Sequence, residues 1–393
     1  MKDIKLTKKE IISLILLIVV VGYGAWTWIN RSYSETKRDL DLLDTVVTIS
    51  ATSKSKDIGT QIDSVFAYIR TFEDIFDDYN PQSWVYKVNN AQGKRYPMNP
   101  DAYELLCVAD SLYQLTNGAF DITIKPLYDL WGFSKINEYG TDTLSLAPPD
   151  SMLIQETLKN IGFNRIRYNK QFIEMPQGMQ ITFGALAKGY ALDKARNYME
   201  NHKFISGIID CTSSMTLFGQ KHSQIVSIKH PRANAGMQTI GNFEIKNGSL
   251  STSGDYQLYF EYNGQRYHHI LNPFTGYPVE NVYSVTVINP SATWADVLST
   301  ALFLLPPDQA IEALKYYPDS NAVIFYQEND QIVSLKTLGM KALDWHDEQL
   351  AGDDVFQLRD DRLAFMVGVI AMNNGRQGVD RFFIDQNFEL DQV

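Results

Sequence analysis

The chain has 393 residues and a formal net charge of −11, a balance that excludes a general nucleic-acid binder, which must neutralise phosphates with a basic surface. A hydrophobic fraction of 45% supports a sizeable core, in one large domain or two ordinary ones. The two cysteines, Cys107 and Cys211, form no CxxC and no Cys/His cluster, which excludes a structural zinc site; both sit among apolar neighbours and are expected in the core.

Lys2, Lys5, Lys8 and Lys9 precede an apolar run over residues 11–29. As a helix, that run reaches roughly 30 Å, the thickness of the hydrocarbon layer. The lysines put its start in the cytoplasm, and Trp26 and Trp28 suit the far interface. The expectation is a single-pass protein of the cytoplasmic (inner) membrane, with the rest of the chain facing outward, in periplasm or extracellular space. A cleaved signal peptide is the alternative, but no Ala-x-Ala site follows. No cysteine follows the run either, which excludes a lipoprotein anchor. Residues 1–30 therefore read as an anchor and 31–42 as a tether.

"DTVVTIS" (residues 44–50) alternates as a strand does. Ile58, Ile62, Val65, Ile69, Phe72, Ile75 and Phe76 fall at helical spacing. "PDAYELLCVADSLYQLTNG" carries helix-start and helix-stop signals, and a further helix begins near Pro149. "MQITFGALAKGYALDKARNYM" predicts a strand, then a helix, with Gly184 at the join. "FISGIIDCTSSMTLFG" predicts a buried strand running into a polar stretch, and "STSGDYQ" a polar turn. Strands are expected near residues 225–228, 256–262, 267–271 and 282–288. A strongly apolar helix ("WADVLSTALFLL") and a late strand ("NAVIFYQ") follow. Without a regular βαβ beat this is an α+β domain, spanning residues 43–346. Residues 347–393 read as an extension without an assigned role.

No Rossmann, P-loop or zinc-protease motif and no nucleophile elbow is present. Chemistry must come from less familiar stretches. Lys188 falls on the first turn after a small-residue bend, where free backbone N–H groups and a lysine suit a phosphate; such a lysine is also at home simply solvated. Asp296 and Thr300 stand at i, i+4 and share a helix face. Their oxygens suit a hard cation such as Mg²⁺; alternatively Asp296 caps the helix and Thr300 back-bonds within it. In "RYHHILNPFTGYPV", two of the chain's six histidines end a strand, and alternation sends them to opposite faces.

Taken in order, these blocks resemble the ApbE family of FAD:protein FMN transferases, over residues 42–305. "LLDTVVTI" is similar to the family's Met-Gly-Thr strand, with Leu43 for Met and Asp44 for Gly. "YNPQSWVYKVN", "GAFDITIKPLYDLWGF", "GALAKGYALD", "SGDY", "HILNPFTGYPV" and "ADVLSTALF" match successive family blocks. The resemblance implies an ApbE-like fold of mixed sheets and flanking helices. It implies an enzyme that binds FAD and Mg²⁺, moves FMN onto a threonine hydroxyl of an acceptor protein and releases AMP. The acceptors implied are extracytoplasmic proteins such as subunits of redox complexes. It assigns metal ligation to the Ala185 carbonyl, Asp296 and Thr300, and contacts to FAD to Leu43, Tyr79, Ala119, Phe120, Asp121, Thr182, Lys188 and Leu271. His269 aligns with the family histidine and takes the acceptor's proton; His268 is left as a surface or packing residue. Two positions depart from the pattern: Thr182 stands where the family carries Asp, and Thr212-Ser213-Ser214 where it carries Gly-Gly-Asp. With those changes, FAD hydrolysis to FMN and AMP, or FAD binding without catalysis, are the alternative activities.

Overall fold

The structure is a computed structural model that describes residues 7–136, 146–232, 239–329 and 331–342; the expected extension at 347–393 lies outside them. Helix α1 (Lys8–Ile29) starts at a capping box, in which the Thr7 hydroxyl accepts from the Glu10 N–H and the Glu10 carboxylate accepts from the Thr7 N–H at 2.7 Å. None of its residues is buried. Among the described residues it is the one helix long and apolar enough to cross a membrane.

The predicted tether is instead a strand. β1 (Tyr33–Leu42) pairs antiparallel with β2 (Thr45–Ser53) through a two-residue turn. Leu43 and Asp44 both have φ near +57°, as a twist-matched hairpin turn requires. The strand escaped notice because its inward positions are charged rather than apolar. Lys37 pairs with Asp63 at 2.7 Å and Asp39 with Arg70 at 2.9 Å, both partners lying on α2 (Ile58–Phe76).

After α2 come α3 (Trp84–Asn89), β3 (Tyr96–Pro97) and α4 (Pro100–Leu115), whose start is capped by Asn99. Cys107 is exposed on the outer side of α4, contrary to expectation; Cys211 is buried. Next are α5 (Lys125–Leu130), α6 (Ser151–Leu158), β4 (Arg167–Tyr168) and β5 (Phe172–Glu174), with β3, β5 and β4 forming a small ribbon. The strand expected just before Gly184 does not form. The Asn89 side chain takes the place of a neighbouring strand, accepting from the Ile181 N–H at 2.8 Å and donating to the Ile181 carbonyl at 2.8 Å.

Helix α7 (Ala187–Asn201) precedes β6 (Phe204–Asp210), β7 (Ser214–Phe218), β8 (Gln224–Lys229), β9 (Thr239–Ile245) and β10 (Gly248–Gly254). Thus "STSG" ends a strand rather than forming a turn. β11 (Tyr259–Tyr262), β12 (Gln265–His268), β13 (Val282–Asn289), α8 (Ala292–Phe303), α9 (Pro307–Ala313), β14 (Asn321–Glu328), β15 (Gln331–Lys336) and α10 (Leu338–Ala342) complete the described chain.

One eight-stranded sheet, ordered β1-β2-β6-β7-β10-β13-β14-β15, organises the domain, and every neighbouring pair is antiparallel. An antiparallel sheet with its long helices on one side falls in the expected α+β class, and the short α10 adds Met340 to the core on the other side. Helices α2, α7 and α8 bury Ile62, Ile69, Leu192 and Leu298 against Val47, Ile49, Val285 and Val287. Behind the sheet, Phe243 of the β8–β9 hairpin joins Leu217, Val323 and Phe325 in a second core. A third, around Trp131, Phe133 and Phe260, sits beneath the β11–β12 hairpin and fixes the loop that follows it.

Candidate active site

The site begins where α7 crosses α8. A Cβ on Gly189 would lie 2.3 Å from the Ala292 carbonyl oxygen and 2.6 Å from the Asp296 Cβ, so only glycine permits this approach. The close crossing also brings a hydrogen bond. The Gly189 N–H, one of the unpaired donors of the first turn of α7, donates to Asp296 Oδ2 at 2.9 Å, and no described hydrogen bond uses the Ala185 carbonyl. Asp193 locks the two helices from the other end: its carboxylate accepts from the Ala292 N–H (2.7 Å), the Thr293 N–H (2.9 Å) and the hydroxyls of Ser291 and Thr293. With Ser291 and Asp193 capping α8, Asp296 is not a helix cap.

Asp296 is buried, and its other oxygen accepts from Ser251 at 2.9 Å and Ser214 at 3.1 Å. Burial pushes its pKa above the usual carboxylate range, while the Gly189 N–H, Ser251, the Lys188 charge and Ser214 pull it back. Thr300 does not back-bond with its hydroxyl; it meets Ser253 at 2.9 Å. Strand β10 therefore faces α8 with alternate serines, Ser251 and Ser253, and these hydroxyls frame Asp296 and Thr300. The donors gathered here are all oxygens with one carboxylate, a set that fits a hard divalent cation completing its shell with water and substrate phosphate.

Lys188, on the first turn of α7, exerts its charge on both Asp296 and His269. His269 follows β12. Its N–H and Nδ1 both meet the Leu258 carbonyl, at 3.0 and 3.1 Å. A carbonyl only accepts, so Nδ1 carries the proton and Nε2 keeps its lone pair. Burial first, then repulsion between the two adjacent rings should both protonate, and the Lys188 charge, push the His269 pKa down to about 3, so the ring is neutral at physiological pH. His268 is buried in the opposite direction, against Phe303, with Nε2 donating to the Val279 carbonyl at 2.7 Å. Beyond them Asn272 Oδ1 accepts from the Phe274 and Thr275 N–H groups, and the Trp131 indole donates to the Gly276 carbonyl at 2.8 Å. Leu271, buried, bridges to Pro278 and closes that turn.

The other expected substrate contacts come from the remaining loops. Leu43 occupies the β1–β2 turn and donates its N–H to Glu73 at 2.8 Å. Ala119 and Phe120 are buried just after α4. Both Asp121 oxygens are engaged structurally, by Thr123 and by the Phe163 N–H at 3.0 Å. Tyr79 is 50% exposed; its hydroxyl donates to Asp129 at 3.2 Å and its ring carries the Lys125 ammonium 3.9 Å from its centre. Thr182 donates its N–H to the Ile122 carbonyl, its hydroxyl accepts from the Gly184 N–H at 3.3 Å, and its proximity helps to lower the Asp78 pKa. Thr212 holds φ at +69°, a left-handed conformation that favours glycine, and contacts Thr45 at 3.0 Å. Sequence reasoning marked Ser214 only as part of a departure from the family pattern and missed Ser251, Ser253, Asp193, Asp78 and Lys125. The period-2 serines of "SLSTSG" were the legible signal for two of them.

The ApbE family model matches residues 43–325. The chain belongs to the ApbE family. Over 279 residues it is 30% identical to a FAD:protein FMN transferase of Klebsiella pneumoniae (strain 342), covering 69% of this chain and 83% of that protein. It is 25% identical over 338 residues to a protein of the same name from Treponema pallidum (strain Nichols), covering 80% and 90%. The crystal structure of the ApbE protein of Thermotoga maritima superposes with a TM-score of 0.67 at 29% identity, covering 81% of this chain and 97% of that one. The apo flavinyl transferase ApbE of Pseudomonas stutzeri shares the fold, with a TM-score of 0.66 at 24% identity over 79% and 97% of the two chains. This ApbE-family chain is thus a transferase.

Proposed function

We propose that this chain is a FAD:protein FMN transferase that flavinylates a threonine of an extracytoplasmic acceptor protein. The observation that carries the reading is that α7 sets the Gly189 N–H, one residue past Lys188, on the buried Asp296 carboxylate, while the Leu258 carbonyl holds His269 with Nε2 as its lone-pair nitrogen. The acceptor hydroxyl attacks the flavin-side phosphorus of the FAD pyrophosphate. The new phosphoester forms, the bond from that phosphorus to the bridging oxygen breaks, and AMP leaves with the oxygen. His269 Nε2 receives the hydroxyl proton, a general-base role. Lys188 and the adjoining helix start hold the pyrophosphate charge. The Ala185 carbonyl, Asp296 and Thr300 would hold Mg²⁺, which when bound neutralises phosphate charge as a Lewis acid. Helix α1 anchors the enzyme in the cytoplasmic membrane with the domain facing outward, beside acceptors such as redox-complex subunits.

The test mixes the protein with FAD, Mg²⁺ and a small acceptor domain bearing a threonine, then weighs the acceptor by mass spectrometry. A gain equal to one FMN, with AMP released only when acceptor is present, is the expected result. AMP release without acceptor labelling identifies FAD hydrolysis instead, and intact bound FAD identifies a binding protein.

A further inference from the structure

Asp78 sits between two segments that the FAD reading places at the substrate, Tyr79 and Thr182. Its side chain is 8% exposed. The turn does not need it, because Asp77 Oδ1 accepts from the Tyr79 and Asn80 N–H groups at 2.8 and 3.2 Å. Nor is it fully claimed by the neighbouring cation. Lys125 gives both Asp129 oxygens bonds of 2.7 Å and lies 3.7 Å from Asp78. The Thr182 hydroxyl lies close enough to lower the Asp78 pKa, and it accepts from the Gly184 N–H at 3.3 Å. A carboxylate has about four lone-pair sites, so acceptor capacity remains. Burial holds its pKa up, to about 6, against the pull of Lys125 and Thr182, as suits a largely buried carboxylate that shares one cation. Beside it, Lys125 stands over the Tyr79 ring, and that ring is half exposed and available to stack on a planar group.

We propose that Asp78 is a substrate-reading residue: its carboxylate accepts a hydrogen bond from an N–H group of the heterocycle that stacks on Tyr79, supplying from the adjacent chain segment the carboxylate that position 182 lacks. This rests on the FAD:protein FMN transferase reading. Both halves of FAD carry such a donor, the imide N–H of the flavin and the amino group of adenine, and ligand halves tell them apart.

The experiment titrates full-length protein in detergent micelles, with Mg²⁺, by calorimetry against FAD, FMN and AMP. Wild type is compared with Asp78→Asn, Thr182→Asp and the exchange variant Asp78→Thr/Thr182→Asp. Asp78→Asn weakens FAD about tenfold, the size of one charge-assisted hydrogen bond. The loss falls on FMN with AMP unchanged if the flavin is read, or on AMP with FMN unchanged if adenine is read. Thr182→Asp alone also weakens FAD, since two carboxylates then face each other, and the exchange variant restores affinity to within about threefold. Unchanged FAD affinity in Asp78→Asn overturns the assignment, as does an equal loss for FMN and AMP, which marks general distortion. Should Asp78→Asn fail to fold, the exchange variant decides, because it keeps a carboxylate for Lys125: native melting with FAD affinity lost overturns the proposal. Wild-type protein that binds no FAD overturns the underlying transferase reading instead.

Discussion

At the residue scale, chemistry is set by which groups the fold dries and which it leaves a proton. His269 is kept neutral by burial and by the Lys188 charge, and the Leu258 carbonyl fixes its tautomer so that Nε2 is the base. His269→Ala is expected to leave FAD binding intact and to lower FMN transfer by ~10²-fold or more. Calorimetry with FAD beside a mass-spectrometric transfer assay checks this; a variant that loses FAD binding would show that the ring positions substrate rather than accepting a proton. The buried His268 carries a pH signature. Its folded pKa is depressed, from 6.5 to about 4, first by burial. Between those values the unfolded chain takes up a proton that the folded chain refuses, so this residue's contribution to stability is present above pH 6.5 and lost as pH falls toward 4. Raised carboxylates such as Asp78 act in the opposite sense, so the readout is a difference. His268→Gln should gain melting temperature relative to wild type as pH is lowered from 7 to 4.5, followed by circular dichroism; a constant offset would refute the buried neutral imidazole.

At the element scale, the site depends on how closely α7 approaches α8. Gly189→Ala drives a methyl into the Ala292 carbonyl, 2.3 Å away, and must push the helices apart. The expected cost is about 1–3 kcal/mol by thermal unfolding, together with weakened Mg²⁺-dependent transfer, since the Gly189 N–H also holds Asp296. Gly184→Ala is the control: its Cβ would meet only the Thr182 hydroxyl, at 3.6 Å, and both readouts should stay near wild type. The helices of this region were legible in the sequence because they bury apolar stripes at helical spacing, and so was the shared face of Asp296 and Thr300. What hid was backbone satisfied by polar side chains. Strand β1 points charges at α2, β10 points serines at α8, and the stretch before Gly184 pairs with the Asn89 side chain rather than with a strand. Hydrophobic alternation marks none of these, because their inward or paired positions are polar. The Asp78–Lys125 contact was illegible for another reason: it joins positions far apart in sequence that only the packing of the α2 turn against α5 brings within 3.7 Å.

At the scale of the whole molecule, the question is where the anchor ends and the domain begins. Helix α1 has 22 residues, about 33 Å of length, and β1 starts only four residues after its last one. The three residues between them span at most about 10 Å. In the proposed anchored reading, a domain held that closely works beside the membrane surface, because the sheet's edge strand follows directly on α1. The two fragments that lack α1 are therefore not equivalent. A chain starting at Asn30 keeps β1, the pairing with β2, the buried Leu42 and the contacts of Lys37 and Asp39 with α2. A chain starting at Leu43 loses all of them. The exposed ion pairs contribute little. The larger losses are the backbone pairing with β2 and the burial of Leu42, and the cut leaves β2 as an open edge able to pair with other molecules. The fragment from Asn30 should leave the membrane fraction without detergent, melt like the full chain and bind FAD with the same affinity. The fragment from Leu43 should melt about 5 °C lower or more and aggregate with concentration. Differential scanning calorimetry and light scattering on the two fragments provide the comparison; equal melting and equal solubility would mean that residues 33–42 act as a simple tether after all.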